Sequence, residues 1–226
     1  MGSAGGEAGT REPEGSVSPR LRGRLHQVVA VVSIPLGIVL IALADTGEAR
    51  LAAVVYSLGV TGLFATSAAF HRGDWSARAA LWMKRADHAM IFVLIASSYT
   101  PLPVLLLEGG GRAAVLAAIW GGTALGVVAS LSGLLERRGV PLTMYIGLSW
   151  ILGLSVPSVL SELSVVEVAL MFAGGVLYTA GAVALALRWP DPAPETFGYH
   201  EIWHVLVVLA GACIGVVVWT VILTAG

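Results

Sequence analysis

Four of the five histidines in this chain of 226 residues stand near the ends of long apolar runs. His200 and His204 are one helical turn apart in "YHEIWH", so both project from one face of a helix. His71 closes an earlier run four residues after Ser67, again on a shared face, and Asp87 and His88 follow in "KRADHAM" at the start of the next. Three imidazoles from two helices suit a tetrahedral Zn2+ whose fourth position is water. On that reading His71, His200 and His204 are the ligands. Asp87 binds the metal's water or acts on it as general base, and Ser67 donates a hydrogen bond nearby. Asp87 and His88 point about 100° apart on a helix, so His88 takes a supporting or interfacial place. His26, the fifth histidine, reads as a juxtamembrane residue of no special role.

The same pentapeptide satisfies H-E-x-x-H, the zinc-protease pattern in which the glutamate is general base. Such a site needs a third ligand, and after His204 the chain contains no Asp, Glu or His. An upstream residue, His71 or Asp87, would have to serve. Glu201 therefore stays open as a base but is the least supported member of the set.

The elements that must carry these residues follow from composition. Apolar residues make up 57% of the chain and charged ones 12%, with mean hydropathy +0.85. A soluble domain carries about 25% charged residues, so the reading is an all-α, polytopic membrane protein. Net charge is −1, which gives nucleic acid no purchase. The single cysteine, Cys213, cannot form an internal disulfide. Runs near the ~20 residues needed to cross a bilayer fall at 27–44, 50–70, 82–107, 113–132, 141–160, 165–187 and 201–224. A seven-helix transmembrane domain over 25–226 follows a polar, disordered tail over 1–24, which is too polar for a signal peptide. With the N-terminus cytoplasmic and the C-terminus outside, every basic residue except Arg50 and Arg112 faces the cytoplasm. Trp75, Trp82, Trp189 and Trp203 mark the inner boundary. In that topology Ser67, His71, Asp87, His200 and His204 share one depth at the cytoplasmic side. Ionisable groups at membrane depth are costly and are functional by default. "ASSYTPLP" (96–103) reads as a Pro-bent helix whose hydroxyls satisfy freed carbonyls, and Gly174 and Gly175 read as close helix packing.

Taken in order, "SAAFH" (67–71), "RADH" (85–88), "SYTP" (98–101), "GGVLY" (174–178) and "HEIWH" resemble the hemolysin III family, related to the seven-span progestin and adiponectin receptors. The motifs span about residues 25–224. The resemblance implies zinc held by His71, His200 and His204, an aspartate at Asp87 that contacts the zinc-bound water, and a serine at Ser67 beside it. Phe70 departs from the tyrosine many relatives carry there, at a position that is not a ligand. The resemblance also implies a bacterial plasma membrane location, with membrane lipids as partners.

Three functions remain open at this stage. One is a zinc-dependent hydrolase of lipid amides or esters, as the ceramidase-like relatives imply. A second is a non-enzymatic receptor-like or channel-forming, haemolytic membrane protein with zinc as a structural pin. The third is an intramembrane zinc protease. Substrate and oligomeric state have no signature in the sequence.

Overall fold

The path of the chain is dictated by apolar runs too long for any soluble helix, each closed by a local stop. The structure is a computed structural model describing residues 19–136, 140–154 and 157–225. Its helices are α1 (Arg24–Leu43), α2 (Gly47–Arg72), α3 (Ala77–Tyr99), α4 (Pro101–Leu106), α5 (Gly109–Leu131), α6 (Val140–Leu154), α7 (Pro157–Leu160), α8 (Val165–Leu187) and α9 (Tyr199–Thr224). Among the described residues there is no strand, only one isolated bridge between Ala193 and Phe197.

Local chemistry explains the starts and breaks. The Thr46 hydroxyl accepts from the Ala49 amide at 3.1 Å and caps α2. Ser164 and Glu167 form a reciprocal capping box at the start of α8. Pro101 cannot donate into the helix and ends α3 at Tyr99, while the Thr100 hydroxyl donates to the Ala96 carbonyl at 2.7 Å. The Ser97 hydroxyl donates to Leu94 at 3.0 Å in the same way. The helix is interrupted before Pro101 as expected, but these hydroxyls do not bond to the carbonyls that the prolines free: the Ala96 carbonyl also accepts the Thr100 amide.

Six helical stretches among the described residues are long and apolar enough to cross a membrane: Arg24–Leu43, Gly47–Arg72, Ala77–Leu106, Gly109–Leu131, Val165–Leu187 and Tyr199–Thr224. In the run at 141–160 the structure describes α6 and the four-residue α7, and residues 155 and 156 between them lie outside the described residues. Arg11, Arg137 and Arg138, three of the residues behind the expected orientation, lie outside the described residues.

Helix faces sort as a bilayer requires. Along α1 the buried positions are His26, Ala30, Ser33, Gly37 and Leu40, a single 3.6-period stripe. The opposite side presents Val31 at 64% exposure and Ile38 at 63%. A chain that buries histidine and serine while exposing valine and isoleucine has its apolar face toward lipid, not water.

Consecutive helices pack against one another, α1 on α2, α2 on α3, α3 on α5 and α8 on α9. Helix α9 also touches α1, α2, α3 and α4, so the last helix closes the bundle against the first. Small residues permit the close crossings. A Cβ on Gly174 would come within 2.9 Å of the Ile214 side chain, and one on Gly59 would overlap the Ser97 side chain.

Candidate metal centre

The course of the bundle brings parts of four helices together. Those are the first turn of α1, the last two turns of α2, the middle of α3 and the first two turns of α9. Five side chains expected at the site, Ser67, His71, Asp87, His200 and His204, meet there, around a cavity of about 610 Å3.

The His71 and His200 Nε2 atoms are 3.2 Å apart although 129 positions separate them in the chain. One ligand atom from each of His71, His200 and His204 lies within 4.8 Å of the others. Ligands about 2.0–2.1 Å from a tetrahedral ion are about 3.3 Å from each other. The His71–His200 edge already has that length, and the third imidazole closes the triangle by a shift of roughly 1.5 Å or less. Three imidazoles converging at this distance are a donor set that a borderline divalent cation fits. The Asp87 Oδ2 is 4.0 Å from His71 Nε2, beyond a hydrogen bond but on the same side of the cavity. The Ser67 hydroxyl lines the same cavity as Asp87 and lies 2.9 Å from His26 Nδ1.

Glu201 is turned away from this work. Its Oε1 accepts from Arg22 Nε at 2.9 Å, and its Oε2 accepts from the Gly198 amide at 2.9 Å. The carboxylate thus caps α9 and holds down the segment that precedes α1. Residues 19–23, placed in the tail on sequence grounds, are tied to the α8–α9 connection through Arg20 N to Glu195 O at 3.0 Å and Leu21 N to Thr196 O at 3.3 Å. Gly23 makes the turn with φ of 73°, and any Cβ there would be 2.8 Å from the His71 Cβ.

Two residues depart from their expected places. His26 is not juxtamembrane: it is 3% exposed and stacks on His204 with ring centroids 3.7 Å apart. The signal was present in the α1 stripe, where His26, Ser33 and Gly37 recur at helical spacing on one face. Trp203 leaves the expected aromatic belt, lines the cavity and packs on Gly181, whereas Trp75, Trp82 and Trp189 are exposed. Tyr145 of α6 also lines the cavity and donates to the His88 carbonyl at 3.2 Å. His88 itself lines the cavity without joining the three-histidine cluster.

A second, smaller cavity of about 150 Å3 adjoins the first and is walled by apolar and aromatic side chains. The two share Leu63, Ile91, Tyr145, Trp203 and Val207. The chamber with the histidines thus shares a wall with an apolar one.

Comparison with known proteins bears on the same residues. The family model described as haemolysin-III related matches residues 16–214, which include every side chain of the site. "Hemolysin-3" of Bacillus cereus is 30% identical over 190 residues, 83% of each chain. "Hemolysin-3 homolog" of Bacillus subtilis (strain 168) is 28% identical over 124 residues, 54% of each chain. No solved structure matches the chain.

Proposed function

The chain belongs to the haemolysin-III-related family of multi-pass bacterial membrane proteins, and from that premise we propose that it is a zinc-dependent hydrolase of lipid amides or esters. The observation that carries this reading is the convergence of His71, His200 and His204 in a cavity that shares a wall with an apolar chamber.

His71 from α2 and His200 and His204 from α9 would hold the ion. Bound there, zinc supplies Lewis acidity and acidifies water toward neutral pH. Asp87 takes the proton from the attacking water and returns it to the leaving group, the general acid–base role its position beside Ser67 and His71 allows. Ser67 orients that carboxylate. The apolar chamber accepts an acyl tail, and the wider histidine chamber accepts the polar junction to be cleaved.

Topology belongs to the same proposal. Helices α6 and α7 together make a seventh crossing, and the end that carries the site faces the cytoplasm. The basic residues Arg22, Arg72, Lys84, Arg85 and Arg188 lie at that end, which supports this orientation.

The name carried by the relatives favours a second reading, membrane lysis with the histidines as a structural pin. Hydrolysis of N-acyl and O-acyl lipids and leakage of dye-loaded liposomes, measured on one purified preparation, separate the two. Turnover that a chelator abolishes, without leakage, supports the hydrolase. Leakage with no turnover contradicts it. The intramembrane protease reading needs a free Glu201, and the Arg22 and Gly198 contacts weigh against that.

A further inference from the structure

His26 makes three contacts that have no use in a residue at the membrane surface. Its ring lies nearly parallel to His204, at 3.7 Å and 19°. It also meets the Phe64 ring in a T-shaped contact at 4.9 Å and 78°. Its Nδ1 is 2.9 Å from the Ser67 hydroxyl, while its Nε2 is buried and has no hydrogen-bond partner among the described residues.

Two simple roles fail on geometry. His26 cannot be a fourth ligand to an ion held by His204. A metal lies near the plane of the imidazole that binds it, about 2.0–2.1 Å from the nitrogen. With two stacked rings, an ion in the plane of one is far out of the plane of the other. Nor is His26 there for stability alone. An apolar ring of the same size would fill the slot between Phe64 and His204 without burying an unpartnered nitrogen.

We propose that His26 is a positioning residue for the metal centre: its ring is the flat wall that fixes the His204 imidazole, and its Nδ1 holds the Ser67 hydroxyl in place. The terminal torsion of a histidine is broad and intrinsically soft, so a ligand ring at a cavity edge needs a wall to keep its nitrogen on target. The other rings near His204 are His200 and His71, which are ligands themselves. His26 is the neighbour that supports without binding. The inference rests on the zinc part of the proposed function and not on hydrolysis.

The test is zinc affinity of the full-length protein in detergent, by competition with a chelator, alongside the thermal midpoint of the metal-free protein. His26→Leu removes wall and hydrogen bond, and its zinc affinity falls by roughly 10- to 100-fold, as loss of a ligand's supporting partner does. His26→Phe keeps the wall, binds zinc close to wild type and melts no lower than wild type without metal. His26→Asn keeps a polar contact to Ser67 but no ring, and weakens like the Leu variant. Should the Leu variant not fold, the Phe and Asn variants decide between them. Equal zinc affinity in all variants, or a Phe variant as weak as Asn, overturns the proposal. A wild type that binds no zinc contradicts the metal centre and this inference together. A wild type that binds zinc but turns over no lipid contradicts only the hydrolase.

Discussion

Removing Arg22 tests the claim that Glu201 is a structural residue and not a base. Glu201 is 4% exposed and Arg22 is 23% exposed, so the pair sits at the edge of the interior. Breaking a fully buried pair by deleting one partner costs roughly 3–5 kcal/mol. Here the Gly198 amide still donates to the orphaned carboxylate, and water reaches the place Arg22 leaves. The loss for Arg22→Ala is therefore nearer that of one charge-assisted hydrogen bond, about 2–3 kcal/mol. Neutralising the acid as well, in the Arg22→Ala/Glu201→Gln double variant, removes the unpaired charge and recovers about 1–2 kcal/mol relative to Arg22→Ala. Unfolding of the purified protein in mixed micelles, followed by helical circular dichroism across a denaturant series, measures all three differences. A loss below about 0.5 kcal/mol for Arg22→Ala, the range of an ordinary surface substitution, would refute the reasoning. So would a double variant no more stable than the single.

Two further outcomes follow from the same geometry. Asp87→Asn keeps its metal and loses hydrolysis by roughly 100- to 10,000-fold, whereas Glu201→Gln keeps both; parallel zinc analysis and turnover assays check the pair, and loss only in the Glu201 variant points to a protease. Gly59→Ala destabilises the α2–α3 crossing by about 1–3 kcal/mol because its methyl overlaps Ser97, and adding Ser97→Gly restores part of that loss in the same unfolding measurement.

Much of this was readable before any coordinates. Six of the seven apolar runs correspond to long helices among the described residues, and 165–187 became Val165–Leu187 without adjustment. Helix ends elsewhere extend past the apolar runs, as at Gly47–Arg72, because hydropathy reports lipid contact while hydrogen bonding continues to the next cap. The common depth of His71, Asp87, His200 and His204 came from alternation of the spans, and their convergence at one cavity agrees with it. What stayed hidden depends on side-chain direction. His26 lies within a turn of the chain's first helix, where position alone suggests an interface, and only the stripe through Ser33 and Gly37 reveals its inward aim. Trp203 follows His200 by three residues, so the helical turn that directs the ligands inward also directs the indole into the cavity. The N-terminal strap is set by the positive φ of Gly23 and by Arg22 finding Glu201 across the fold. Neither is a property of local composition.

The central claim is that histidines from α2 and α9 share one ion. Elemental analysis of the purified full-length protein, wild type beside His71→Ala, tests it most directly. The geometry predicts about one zinc per chain in the wild type and its loss in the variant, with helical content unchanged. A wild type without zinc, or a His71→Ala protein that holds as much zinc as wild type, would contradict the account.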